Sequence, residues 1–270
     1  MTGLPASRVL VLGVGYAGRA VLALARERGL GRAAVVRRDE VARPLRAEGV
    51  EVTVLPAFGA DIAERVDAAT HVVVTFPPDG TTDATVARAL PEVGGGLGAL
   101  TYLSSSNVYG DLRGTVDDTS PITASQSAAA ERRLDAEAAW RARGATVLRC
   151  PAIYGRDRGL HVRVLAGAHR LPGDGSGAVS RVHVEDLASF VLAAPRAPRE
   201  TFVVGDLDPA PQREVVAFVC EAHGAPFPPS VPLDQVHETL RGDRRVDPRR
   251  ALALLGVTLR YPSYRVGMRP

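Results

Sequence analysis

The chain contains no lysine: all 33 of its Lys plus Arg residues are arginine. Arginine stays protonated in proteins, so Schiff-base formation, a phosphate-loop lysine and lysine-assisted proton transfer are excluded. Cysteine is almost absent as well. Cys150 and Cys220 stand far apart with no C-x-x-C pair, which predicts neither a disulfide framework nor a zinc site. No apolar run approaches the length of a membrane span, and the opening MTGLPASR enters a strand pattern without the apolar segment of a signal peptide. An excess of one charge is missing too. The 33 basic residues are scattered and nearly matched by 30 acidic ones, for a net charge of +3, so nucleic acid is not an expected partner. Together these absences predict a protein of the reducing cytoplasm with no membrane contact and no bound metal.

What is present is 46% apolar content arranged in a regular alternation. The short β-rich runs RVLVLG, AAVVR, VEVTVL, THVVVTF, ALTYLS and ATVLRC are separated by helical patterns, among them GRAVLALARERG, ADIAERVDA and the alanine-rich TASQSAAAERRLDAEAAW. Such alternation predicts βαβ units, hence an α/β fold with a Rossmann-like doubly wound parallel sheet. Its core is expected in residues 1–155, completed by about 179–205. Segments 156–178 and 206–270 are looser and carry LPGDGSG and GAPFPPSVP; they read as a small C-terminal substrate lobe over the sheet edge where ligands of open α/β sheets bind.

The first strand runs straight into Gly13, Gly15 and Gly18, spaced G-x-G-x-x-G, with Tyr16 and Ala17 between the last two. The first glycine permits a tight turn, the second lets the backbone approach a pyrophosphate, and the third lets helix pack on strand. A dinucleotide site follows. At the end of the second strand stand Arg37 and Arg38, whose guanidinium forks suit a ribose 2′-phosphate, so NADP is expected over NAD. The alternative is Asp39 serving the ribose hydroxyl. Thr75, Phe76 and Pro77, closing the fourth strand, are placed against the adenosine, or simply form a strand-ending turn.

YLSSSNVYGD, LRCPAIYG, RVHVEDLA and FVVGD follow one another in the order found in extended short-chain dehydrogenases/reductases. The chain resembles the NAD-dependent epimerase/dehydratase group of that superfamily over nearly its whole length. Its ending, RRVDPRRALALLGVTLRYPSYRVG, is similar to that of a shorter atypical subgroup of NAD(P)-dependent oxidoreductases. The resemblance implies that Ser105 polarises a substrate oxygen, that Ser104, Pro151 and Ile153 border the cofactor, and that Ser106, Asn107 and Tyr154 face the substrate. It also implies a Tyr-x-x-x-Lys pair on the next helix, which this chain lacks: Ala129 takes the tyrosine's place and Arg133 the lysine's. Arg133 is then left to hold the nicotinamide ribose. The proton would come from Tyr109, from water or from the substrate.

Nucleotide-sugar enzymes of the family carry an arginine four residues before the histidine of the H-V-x-D segment, where this chain has Val179, with Arg181 two residues on and His183 as that histidine. Arg181 and His183 are therefore substrate-side candidates. The reading that follows is an NADP-binding oxidoreductase moving hydride between NADPH and a small carbonyl or alcohol. Two alternatives stay open: a nucleotide-sugar epimerase or dehydratase, and a non-catalytic NADP-sensing regulator. Relatives imply a homodimer, for which the sequence itself offers no interface.

Overall fold

The apolar runs form the strands expected of them. β1 (Arg8–Leu12) is buried from Val9 onward, as a strand covered on both faces must be. It is followed by β2 (Gly31–Val36), β3 (Glu51–Val54), β4 (Thr70–Val74) and β5 (Ala99–Ser105). Next come β6 (Gly114–Val116), β7 (Thr146–Cys150) and β8 (Ala152–Tyr154). The computed structural model describes residues 7–123, 127–196, 199–236 and 241–270. The main sheet runs Thr201–Val203, β7, β5, β4, β1, β2, β3, with every neighbouring pair parallel. Strand order reverses at β1, which pairs with β2 on one side and β4 on the other, and a crevice opens there at the strands' C-terminal ends.

Four helices connect these strands: α1 (Tyr16–Glu27), α2 (Asp39–Ala47), α3 (Thr82–Ala89) and α4 (Ala128–Arg141). α5 (Leu160–Leu165), α6 (Val184–Ala193), α7 (Gln212–His223) and α8 (Arg249–Leu255) come after them. One apolar layer packs α1, α2 and α6 on the sheet, and a second packs α3 and α4 on the opposite face. The run ADIAERVDA gives only a short 3-10 helix, Ala60–Arg65. Residues 124–126 of the alanine-rich stretch lie outside the described residues, and α4 begins at Ala128, capped by Ser127.

The division into core and lobe differs from expectation at two places. β6, from within the first 155 residues, leaves the main sheet and pairs with Arg244–Val246, in a four-stranded sheet that also holds Ala178–Val179 and Ala210–Pro211. Conversely, Ala251 and Leu255 of α8 bury themselves in the core layer around α1 and α6. The lobe is therefore tied to the core by exchanged segments. Among the described residues no helix is long and apolar enough to cross a membrane, and no cluster of histidine, cysteine and acids suits a metal ion.

Candidate functional site

The glycine loop occupies the crevice beside β1, and its three glycines have three different surroundings. Gly13 has φ +79°, and a Cβ there would lie 2.7 Å from the Cβ of Phe76. On Gly18 a Cβ would meet Val11 at 3.1 Å and Thr75 at 3.2 Å, so helix and strand close on each other. A Cβ on Gly15, at the N-terminus of α1, would meet nothing within 4 Å. Open space at the second glycine, with a helix N-terminus behind it, fits a pyrophosphate. Ala17 stays half-buried in the first turn of that helix. The strand-end residues contribute from beneath. The Thr75 hydroxyl donates to the carbonyls of Leu12 and Gly13, fixing the turn, and Phe76 is buried against Phe58 and Trp140. Neither side chain therefore faces an adenosine as expected; Pro77 alone of the three is exposed.

At the end of β2 both arginines are exposed. Arg37 lies 4.8 Å above the Phe58 ring and 3.6 Å from Asp79, while Arg38 reaches Glu40 at 3.2 Å. Asp39 is committed elsewhere: its carboxylate accepts from Arg43 at 2.7 Å and Arg46 at 2.9 Å, both on its own helix. Those hydrogen bonds hold its pKa below the usual carboxylate value.

Ser105, Ser106 and Asn107, at the end of β5, line a cavity of about 610 Å³ together with Pro151, Ile153 and Ser127. Ser105 Oγ accepts the Asn107 backbone N–H at 3.2 Å, and Ser127 Oγ accepts that of Ala130 at 3.3 Å. Each hydroxyl thus has its own proton left to donate. Arginines 113, 158, 241 and 244 also line this cavity, against Asp111 and Asp243. Arg158 connects it to the glycine loop, because its guanidinium lies 5.2 Å above the Tyr16 ring. Burial, and then the neighbouring Asp157 carboxylate, raise the Tyr16 pKa.

Tyr109, expected as a proton donor, is fully buried and fully used. Its hydroxyl donates to the Asp117 carbonyl at 2.7 Å and accepts from Arg149 at 3.1 Å. Desolvation raises its pKa further from use, so Tyr109 is structural. Ser104 is likewise turned away from the cofactor crevice: its hydroxyl donates to Glu137 at 2.6 Å in the interior. Glu137 also accepts a two-pronged bond from Arg149, at 3.0 and 2.8 Å, and one from Arg141 at 3.0 Å. Arg133 does lie at the end of β5, donating to the Leu103 carbonyl at 3.2 Å and the Tyr102 hydroxyl at 3.4 Å. Ala129 is exposed and supplies no acid or base.

Three further candidates fall outside the serine cavity. His183 caps α6, its Nδ1 accepting the Glu185 N–H at 3.3 Å, and stacks on Tyr261 at 3.6 Å. Burial lowers its pKa to about 4, which keeps it a neutral acceptor, so a substrate role is not borne out. Tyr154 and Arg181 line a neighbouring cavity of about 520 Å³.

Two arrangements escaped the sequence reading. Arg244 donates to the carbonyls of Ser106 at 2.7 Å, Leu112 at 3.2 Å and Gly110, clamping the loop that carries Ser105. No local pattern announces that contact. Ser127 did have a signal, a serine immediately ahead of an alanine-rich run, which is the usual N-cap position.

Residues 9–205 match the NAD dependent epimerase/dehydratase family. The chain belongs to that family. A 3-diazoavenalumate denitrifying reductase from a Streptomyces species is 32% identical over 127 residues, 43% of this chain and 41% of that protein, so the match spans less than half of the relative. A functionally unknown conserved protein from Silicibacter pomeroyi has a similar structure, with TM-score 0.79, 29% identity, and 97% and 96% of the two chains covered. So do MoeE5 in complex with UDP-glucose and NAD (TM-score 0.76, 22% identity, 97% and 96% covered) and the human epimerase family protein SDR39U1 with NADPH (0.74, 18%, 97% and 98%). The last two are too distant to speak for more than the fold. Membership of the epimerase/dehydratase family makes this an NAD(P)-binding Rossmann-fold protein of an enzyme family; the choice of NAD or NADP lies in its own residues.

Proposed function

We propose that the protein is an NADP-dependent oxidoreductase that reduces a small carbonyl compound. The observation that carries the cofactor choice is at the end of β2. Asp39 is held by Arg43 and Arg46, and Arg37 and Arg38 stand exposed beside it, so cations rather than a free carboxylate meet the ribose. The bound dinucleotide would supply or accept hydride. Ser105 donates a hydrogen bond to the carbonyl oxygen, and Arg244 positions the loop that carries it. Arg133, with N–H groups to spare beyond Leu103 and Tyr102, suits the nicotinamide ribose. The proton reaches the product oxygen from a cavity hydroxyl or from water, since Tyr109 is locked in the interior.

A second reading, an NADP-sensing regulator, is favoured by the exposed Ala129 where the family's tyrosine would stand. The nucleotide-sugar reading has less support, because Val179 replaces the diphosphate-gripping arginine. The test is calorimetry with NADPH, NADP⁺ and NADH on wild-type protein and the Arg37→Ala/Arg38→Ala variant, followed by NADPH oxidation with a carbonyl panel. NADPH should bind at least about tenfold more tightly than NADH, and the double variant should erase the difference. Equal affinities for NADPH and NADH would end the NADP assignment. A large NADPH to NADP⁺ gap with no oxidation of any carbonyl would favour the sensor.

A further inference from the structure

The cavity that holds Tyr154 and Arg181 adjoins the serine cavity, since Ala152, Ile153, Arg158 and Val179 wall both. Arg181 is only 3% exposed. Its Nη1 donates to the Val179 carbonyl at 2.6 Å, and among the described residues its Nε–H and Nη2–H have no acceptor. Neither of those nitrogens is sealed from the cavity, which Arg181 lines. A guanidinium taken this far from water ordinarily carries a counter-charge against its desolvation.

The protein does not place one on that edge. Asp206 lies close, its N–H donating to the Arg181 carbonyl at 2.7 Å, but its Oδ2 is buried without a partner and the two side chains form no ion pair. Arg158 and Arg163 add positive charge to the cavity, against Asp157 alone. The Tyr154 hydroxyl, buried without a partner against Gly267, is sealed from the cavity, which leaves Arg181 as the group that meets a ligand. The free edge of Arg181 is the parallel Nε/Nη2 pair, the same edge that Arg149 presents to the two oxygens of Glu137 at 3.0 and 2.8 Å. That fork matches a carboxylate.

We infer that this second cavity is a carboxylate subsite, in which Arg181 holds a carboxylate borne by the same substrate whose carbonyl sits beside Ser105. The inference rests on the serine cavity being the reaction site. The substrate is then an oxo acid and the product a hydroxy acid. Hydride adds to the carbonyl carbon, a proton to its oxygen, and the carboxylate passes through unchanged.

The test uses full-length protein saturated with NADP⁺, titrated calorimetrically with 4-oxopentanoate, 6-oxoheptanoate, their methyl esters and inorganic phosphate. At least one acid should bind about tenfold or more better than its ester, and Arg181→Lys, which keeps the charge but loses the fork, should reduce that preference below about threefold. Arg163→Ala, which removes a positive charge from the wall of the same cavity, should weaken the acid by a smaller factor and leave NADPH affinity unchanged, which keeps the inference testable if the Arg181 variant does not fold. Acid and ester binding alike, no binding of either acid at about 10 mM, or a preference that survives Arg181→Lys would overturn it. Phosphate bound through Arg181 in place of the acids would overturn the carboxylate assignment. The two readings fail separately. Acid preference without NADPH oxidation keeps the subsite and removes the reductase, while equal turnover of acids and esters does the reverse.

Discussion

Replacing Tyr109 by phenylalanine separates a structural tyrosine from a catalytic one. The hydroxyl makes two interior hydrogen bonds, to the Asp117 carbonyl at 2.7 Å and from Arg149 at 3.1 Å. Its removal leaves a buried guanidinium N–H without a partner, while the Asp117 carbonyl keeps the Ser120 N–H at 3.2 Å. Arg149 keeps its two bonds to Glu137, so only part of the network is disturbed and the cost should be about 1–3 kcal/mol. In a chain of this size that corresponds to a fall in Tm of about 2–12 °C. Urea unfolding measures the loss directly. NADPH affinity and any turnover, assayed well below the transition, should stay within about threefold, whereas removing a general acid costs about a hundred- to ten-thousandfold. Ser105→Ala should show the opposite pattern, near-normal stability with turnover lost. A Tyr109→Phe protein of unchanged stability and greatly reduced turnover would refute the interior assignment and return the tyrosine to the chemistry.

Two further substitutions test the glycine loop and one buried acid. Gly13→Ala should destabilise the unliganded protein by about 2–4 kcal/mol in urea unfolding, because it forces a side chain into positive φ against Phe76. Gly15→Ala should leave that stability within about 0.5 kcal/mol and weaken dinucleotide binding at least about tenfold, since its methyl would enter space left for phosphate. Asp206→Asn bears on pH. Burial raises the Asp206 pKa to about 7, so the folded state holds this proton more tightly than the unfolded chain does. Its stabilising contribution is complete below about pH 4 and is lost as pH rises through about 7, by up to about 1.4 kcal/mol per pH unit. Wild-type minus variant stability, followed by urea unfolding from pH 5 to pH 8, should fall up to about pH 7 and level off above it, and a difference flat across the whole range would refute the raised pKa.

Legibility in the sequence tracked distance along the chain. β1, the turn at Gly13 and the opening of α1 are written in eleven consecutive residues, RVLVLGVGYAG, and the structure shows the positive-φ turn at Gly13, the tight helix–strand packing at Gly18 and open space off Gly15. The Ser104, Glu137, Arg149 and Tyr109 network could not be read in that way. Its partners are 33, 12 and 40 residues apart, and only the packing of α4 on β5 and β7 brings them together. The motif around Tyr109 says that a tyrosine follows the serine loop. It does not say that a 3-10 turn, Ser106–Tyr109, sends the ring inward. Arg244 is a stronger case, since its three carbonyl acceptors lie more than 130 residues upstream.

The tyrosine that α4 lacks has a physical counterweight in the serine cavity. A carbonyl that receives hydride becomes an alkoxide, and an enzyme can meet that charge with a proton or with an electrostatic field. With Ala129 exposed and Tyr109 enclosed, the proton is not on α4. The field is present: four arginines line the cavity against two aspartates, and Asp243 is already engaged by the Ala178 N–H at 3.0 Å and by Arg245 at 3.2 Å. The hydroxyls of Ser105 and Ser127 each accept one backbone N–H and keep their own proton to donate. Under the proposed carbonyl reduction, such a site would stabilise negative charge on the substrate oxygen by oriented donors and let water complete the protonation. It would then trade a dedicated acid for charge stabilisation, a trade open to a chain with no lysine, whose arginines cannot themselves give up a proton.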